Sequence, residues 1–296
     1  MGLGIKKRKW IDYIVILLCY VAAAWIGMIV FQKQSGDLWF KVLMGDMAAT
    51  FFIWIFSMLL QNASLYDPYW SVQPIVILSL LLLRQERFDI GSVLICMVIL
   101  FWGIRLTANW FTTFDGLGSQ DWRYDQLKAQ TGRLFQVVNL IGIQLMPTFI
   151  VFLCILPAAY YMELDSSFSL KNIIGLTISM VGALIQLTAD VQMHNFRKRN
   201  ADRSKIIRSG LWKYSRHPNY LGEILMWWGI YLTFVVVHVD YYYLGVGAIV
   251  NTLLFLLISI PMAEKHLASY KEGYEEYRNE TRKLLPVPKS FLILKH

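Results

Sequence analysis

Charge is what this 296-residue chain lacks most: Asp, Glu, Lys and Arg together make 16% of it, where soluble domains carry about 25%. With 56% apolar residues, that scarcity excludes an ordinary soluble domain and implies an integral membrane protein. Cysteine is nearly absent. Cys19, Cys96 and Cys154 sit inside apolar runs without metal-like spacing, so they read as small buried hydrophobes and no metal site is expected. No G-x-G-x-x-G follows a strand and no G-x-x-x-x-G-K-[ST] occurs, which excludes Rossmann and Walker phosphate sites. Internal repeats, low-complexity tracts and Pro/Ser-rich linkers are missing too. Acidic residues are outnumbered 20 to 28, giving a net charge of +8. That excess follows membrane topology and calls for no nucleic-acid partner.

What is present is a series of apolar runs long enough to cross a bilayer, which takes about 20 residues. Spans are expected at 11–31, 42–61, 70–84, 88–108, 136–160, 171–192, 219–238 and 242–262. The fold class is therefore all-α, a polytopic transmembrane helix bundle of about eight spans. "KKRKW" before the first run resembles a signal start, but the run exceeds the roughly 7–15 residues of a signal core and reads as a retained anchor. The third span is short, and Pro68 and Pro74 interrupt its entry, a pattern that goes with lining a cavity. Lys6, Lys7, Arg8 and Lys9, then Arg123, Lys128 and Arg133, then the loop Arg197–Arg216, then the tail, all fall on one side of an eight-span bundle. Positive charge marks the cytoplasmic side, so both termini are expected there. Asp37, Glu163, Asp165 and Asp240 mark the other side, where Arg84 and Arg87 break the pattern beside Glu86 and Asp89. Residues 1–61 form an N-terminal helical part and 62–296 the main domain in this reading.

Three stretches concentrate polar groups at the cytoplasmic mouth. "LIQLTADVQMHNFRKR" sets Gln186, Asp190, His194 and Arg197 along one helix face. The terminal Arg/Lys cluster suits a helix C-terminus; Gln186 and Asp190 lie deeper, and a polar cavity or a structural Asp–Arg pair would account for them. "SRHPNYLGEILMWWGIYL" opens on Arg216, His217, Asn219 and Tyr220 and carries Glu223 into an apolar helix. Ionisable groups at that depth cost a few kcal/mol, and Pro218 suits a first helical position. "EKHLASYKEGYEEYRNETRKLLP" puts His266 and Tyr270 on one face, continued by Tyr274 and Tyr277; an amphipathic interfacial helix explains it equally well. Together these groups suit a large anionic cofactor whose phosphates are held by Arg and Lys side chains.

"GLWKYSRHPNYLGEI" followed by "EKHLASYKEGYEEYRNETRKLLP" resembles the C-terminal domain of steroid 5-alpha-reductase-like membrane proteins, closest to a bacterial branch. The resemblance covers residue 90 to the end well and the first 60 residues poorly. It implies a helix bundle that holds NADPH from the cytoplasm and reduces a conjugated C=C of a lipid. It assigns Asn219 and Glu223 to the nicotinamide end and Gln186, Asp190 and Arg197 to the preceding helix, with Gln186 replacing the family's Asn. Lys205 falls where the reductases carry a phosphate-binding Arg, His266 and Tyr270 match the last helix, Met262 replaces a basic residue, and Arg123 in "DWRY" is a further phosphate-binding position. Arg216, His217 and Tyr220 belong to the same cofactor element. For catalysis, Asp67 in "LYDPYWSVQP" stands at the position of the family's Glu. The family's partner Tyr is missing from "ILFWGIRLTANWF", leaving Tyr69 or Tyr124 to act instead. That departure puts a steroid substrate in doubt.

The leading expectation is thus an NADPH-dependent reductase in the cell membrane, acting on a hydrophobic lipid, monomeric and without an obligate protein partner. Trp102, Trp227 and Trp228 are candidate pocket walls, although an interfacial aromatic belt accounts for each singly. An S-adenosylmethionine-dependent lipid or isoprenylcysteine-type methyltransferase shares a similar "RHP-x-Y-x-G" element. A lipid-binding protein without chemistry would use the basic loop for anionic headgroups, at about 1 kcal/mol per Lys or Arg.

Overall fold

The computed structural model describes residues 2–84, 88–164 and 166–286, with backbone alone for 2–8. Glu86, Arg87, Asp165 and the side chains of Lys6, Lys7 and Arg8, all used in the topology reading, lie outside the described residues. Among those residues the chain is helical and no strand forms; one isolated bridge pairs Ser215 with Arg282. The helices are α1 (Gly2–Lys33), α2 (Leu38–Leu59), α3 (Tyr69–Leu83), α4 (Ile90–Thr113), α5 (Trp122–Thr131), α6 (Phe135–Val138), α7 (Met146–Glu163), α8 (Asn172–Arg199), α9 (Pro218–Val235), α10 (Val246–Leu254), α11 (Ile260–Ala268) and α12 (Tyr274–Glu280). Each expected span corresponds to a helix. Among the described residues, six helical segments are long and apolar enough to cross a membrane: Lys9–Lys33, Leu38–Leu59, Ile90–Thr113, Trp122–Glu163, Asn172–Arg199 and Val239–Ala268. The 15-residue α3 and the 18-residue α9 are not among them. This is a multi-pass membrane protein.

The chain divides into two compact units, Met1–Ser167 and Phe168–His296. In the first, α1 packs on α2, and α3 packs on α4 and α7. Its core joins Ile16, Cys19, Ala23, Ile53, Leu65, Tyr66 and Phe114. Gly27 and Gly45 set the α1–α2 approach, because a Cβ on Gly45 would lie 2.7 Å from the Gly27 carbonyl oxygen. Asp89 caps α4 by accepting from the backbone N–H of Gly91 (2.7 Å) and Ser92 (3.2 Å).

In the second unit α8 and α9 form an antiparallel hairpin. The buried face of α8 carries Asn172, Gly175, Ser179, Gly182, Gln186 and Ala189, alternating steps of three and four residues. Small residues let helix backbones meet at close range in a membrane. A Cβ on Gly222 would stand 2.4 Å from the Gly182 carbonyl oxygen, and one on Gly229 2.6 Å from that of Gly175. The polar members of the stripe bond across the seam: Asn172 Nδ2 donates to the Thr233 carbonyl (2.5 Å) and Ser179 Oγ to that of Met226 (2.9 Å). A π-helical turn at Phe255–Ser259 joins α10 to α11.

Candidate functional site

Toward the end of this hairpin where the 200–217 loop joins α8 to α9, the seam stops being glycine and becomes polar. Gln186 (1% exposed) and Glu223 (4% exposed) face each other, and Gln186 Nε2 donates to Glu223 Oε2 at 2.5 Å. Trp227, one turn on, donates its indole N–H to Glu223 Oε1 at 2.8 Å. A carboxylate accepting from both sides is tolerable at this depth, because each oxygen has a donor. Gln186 Oε1, by contrast, is buried without a partner, which leaves an amide acceptor at the centre of the cluster. Asn219 lies one turn before Glu223 and Asp190 one turn after Gln186, both half-buried; His194 and Arg197 continue the α8 face into full exposure. The expected stripe therefore runs from the helix seam outward.

Arg216 and His217 have another employment. Arg216, 7% exposed, pairs with Glu264 of α11 through Nε and a terminal nitrogen, each at 2.8 Å. Its other terminal nitrogen donates to the carbonyls of Arg278 (3.0 Å) and Thr281, and its backbone N–H to that of Arg282 (2.9 Å). His217 Nε2 meets the same Glu264 oxygen at 3.1 Å. Burial holds the His217 pKa below the usual 6.5, against the opposing pull of Glu264. Arg216 and His217 thus clamp the start of α9 to α11 and to the segment beyond α12. Tyr220 stacks between the His217 ring, at 5.3 Å, and Phe255, at 4.8 Å.

The C-terminal stretch is not one amphipathic helix. It breaks after α11, turns at Gly273 (φ 68°) and restarts as α12. His266 and Tyr270 do share a face, with ring centres 5.1 Å apart. Tyr274 and Tyr277 instead go inward, and Tyr277 Oη donates to the Trp212 carbonyl at 2.6 Å. Lys271 pins the basic loop by donating to the carbonyls of Arg203 and Lys205, both at 2.6 Å. Burial, then the charges of Arg197 and Arg203, lower the Lys271 pKa, so these cations crowd one another. Lys205 and Arg197 remain exposed beside it, whereas Arg208 is paired with Glu276 and Glu280.

Of the three residues expected to be catalytic, Asp67, Tyr69 and Glu223, the first unit holds Asp67 and Tyr69 and separates them. Asp67 accepts from Tyr124 Oη at 2.6 Å, and burial pushes its carboxyl up to about 6, against the lowering effects of Tyr124 and Arg123. Tyr69 turns away and donates to Asp46 of α2 at 3.2 Å; Gln73 Nε2 bonds the other Asp46 oxygen. Arg123 makes a two-point pair with Asp121, at 2.8 and 2.9 Å. Trp102 is buried against Trp70, and Trp228 donates to Thr252. Asp46 and Glu264 were missed in the sequence. For Asp46 the available signal was an acid inside an apolar run, which by default marks a functional group with a partner; Glu264 follows the last expected span in a polar stretch and carried no such signal.

The family profile described as "Protein of unknown function (DUF1295)" matches residues 53–281. The chain belongs to this family. Curated relatives are the proteins named 3-oxo-5-alpha-steroid 4-dehydrogenase 1. The rat protein is 29% identical over 112 residues, which is 38% of this chain and 40% of the relative. The human protein is 31% identical over 116 residues, 39% of this chain and 41% of the relative. The chain thus matches about two fifths of the length of these relatives. No solved structure matches. Family membership agrees with the steroid 5-alpha-reductase-like resemblance of the "RHPNYLGE" element.

Proposed function

We propose that the protein is a membrane NADPH-dependent oxidoreductase that reduces a conjugated C=C bond of a lipid, with its cofactor taken from the cytoplasmic side of the cell membrane. The observation that carries this reading is the Gln186–Glu223–Trp227 cluster, a buried carboxylate and an orphaned amide oxygen next to a crowded cationic loop. The residues fit the cofactor's chemistry. Gln186 Oε1 lacks a donor, which a carboxamide N–H supplies, and Asn219 and Asp190 add hydrogen-bonding groups for amide and hydroxyls. Exposed Arg197 and Lys205 suit phosphates, and His266 and Tyr270 add aromatic surface. NADPH, when bound, supplies the hydride for an activated alkene.

Within the chain, Glu223 holds Gln186 and Trp227 in fixed orientation, a positioning role. Arg216, His217 and Tyr220 contribute by fixing the start of α9. In the first unit Asp67 is the proposed acid. Its raised pKa keeps a neutral fraction near pH 6, so the carboxyl can donate a hydrogen bond to a substrate carbonyl oxygen and stabilise the developing enolate, an effect of a few kcal/mol. Tyr124, not Tyr69, is its partner.

The test is NADPH binding to the purified full chain, followed by nicotinamide fluorescence, with Glu223→Gln and Arg197→Ala alongside. Losing a hydrogen bond to a charged group costs about 1.5–3 kcal/mol, so each variant is expected to bind at least about tenfold more weakly. Binding of labelled S-adenosylmethionine by a folded protein that does not bind NADPH would replace this reading with the methyltransferase.

A further inference from the structure

A cavity of about 480 Å³ lies among α1, α2 and α3, in the unit that does not hold the proposed cofactor site. Its walls are apolar, with Ala24, Met28, Val72, Val76, Ile77 and Leu80 along its length. Its two ends differ in chemistry. One end is formed by Asp46, Tyr69 and Gln73, all at most 6% exposed and bonded to one another. Gln73 Oε1 in this group is buried and has no partner. Asp46 and Gln73 together present acceptors beyond the donors that reach them, and a buried unpaired acceptor is costly until a donor reaches it. The other end is cationic. There the C-terminus of α1, the first turn of α2 and the C-terminus of α3 converge, bringing Lys41 and Arg84 to the mouth beside Phe31 and Gln32. The Arg84 guanidinium lies 4.9 Å over the Phe31 ring.

Gln73 and Arg84 are eleven residues apart on one helix, about 16 Å at 1.5 Å per residue. A simple fatty chain does not match this layout, because its tail would end against Asp46. A ligand with one polar group at each end does.

We propose that this cavity binds one elongated amphiphilic acid that carries a hydroxyl at its far end. The hydroxyl donates to the Asp46–Gln73 group, the apolar body lies along α1 and α3, and the acid pairs with Lys41 and Arg84. The binding uses residues of the first unit alone and stands or falls separately from the reductase reading. Two sources share this chemistry, a hydroxylated steroid acid and a hydroxylated fatty acid.

The test measures saturable binding to the full chain in nanodiscs of neutral lipid by native mass spectrometry. The probes are lithocholic acid, 12-hydroxydodecanoic acid (hydroxyl at the chain end), cholanic acid (no hydroxyl) and cholestanol (no acid). Binding of either hydroxy acid supports the site and identifies the source. Cholanic acid and cholestanol are each expected to bind at least about tenfold more weakly, since each lacks a hydrogen-bonded or charge-paired end. Val76→Trp fills the cavity without removing a polar group and is expected to abolish binding. Arg84→Gln, at an exposed position, is expected to weaken the acids and leave cholestanol unchanged. Equal binding of all four probes, binding unaltered by both variants, or no saturable binding of either hydroxy acid would overturn the proposal. If Val76→Trp fails to fold, Arg84→Gln and the probe series on the unaltered chain still decide.

Discussion

Adding one methyl group at Gly222 is expected to disable the proposed cofactor site at the Gln186–Glu223 end of the α8–α9 hairpin. The new Cβ would sit 2.4 Å from the Gly182 carbonyl oxygen and 2.6 Å from Gln186 Cγ, and the first of these is backbone that cannot rotate aside. Ordinary contact begins at 3.4 Å, so the helices must part by about 1 Å, in the range where overpacking costs about 1–3 kcal/mol. The same displacement stretches the Ser179–Met226 bond from 2.9 Å and the Gln186–Glu223 bond from 2.5 Å. Interhelical hydrogen bonds in membranes average about 0.6 kcal/mol, so these two raise the total to about 2–4 kcal/mol. Gly222→Ala should therefore lower stability toward SDS unfolding by that amount and weaken NADPH binding together with it. Gly142→Ala, where a Cβ meets nothing within 4 Å, is the control and should stay within about 0.5 kcal/mol. A Gly222→Ala protein with unaltered stability and unaltered binding would refute the argument that the glycine seam sets the Gln186–Glu223 geometry.

Arg216→Met leaves Glu264 buried with His217 alone and should cost about 3–5 kcal/mol, whereas Arg216→Met with Glu264→Leu should recover part of that loss; a double variant no better than the single one would contradict the clamp. His217 has its folded pKa depressed by burial, so its stabilising contribution is full above 6.5 and is lost as pH falls through the depressed value. Thermal melting should show this acid-side loss in the native chain, and His217→Gln should flatten it. Asp67 has its folded pKa raised from 3.8 to about 6, so the associated stability is greatest at low pH and is lost as pH rises across that interval. Infrared titration of its protonated carboxyl should place the midpoint near 6, and Tyr124→Phe, which removes a lowering hydrogen bond, should shift it upward; a downward shift would refute the assignment.

Much of the architecture was legible in composition and periodicity. Apolar runs of bilayer length identify the helices whatever they pack against, because no other backbone arrangement except a closed barrel satisfies its polar groups in lipid. Pro68 at the α3 entry and the short apolar run after it announced a helix beside a cavity. The Gln186–Asp190–Arg197 face was equally readable, since helical spacing is a local property. The division of the chain at Ser167/Phe168 has no composition marker: no linker separates two apolar helical parts.

What the sequence by itself determined is which segments are helical, which residues are too polar for lipid and therefore need partners, and which family the "RHPNYLGE" element resembles. It did not determine the partners. Asp67 with Tyr124, Tyr69 with Asp46, and Arg216 with Glu264 join residues 57, 23 and 48 positions apart. Only the tertiary structure chose among the acids available to each tyrosine and arginine. It also turned Tyr274 and Tyr277 inward, through a left-handed turn at Gly273 that helical periodicity does not anticipate. The physical reason is common to all of these. A buried polar group must find a partner, but which one it meets depends on how helices cross; at the α8–α9 seam, where Gln186 meets Glu223, that crossing is set by backbone contacts between glycines about forty or more positions apart.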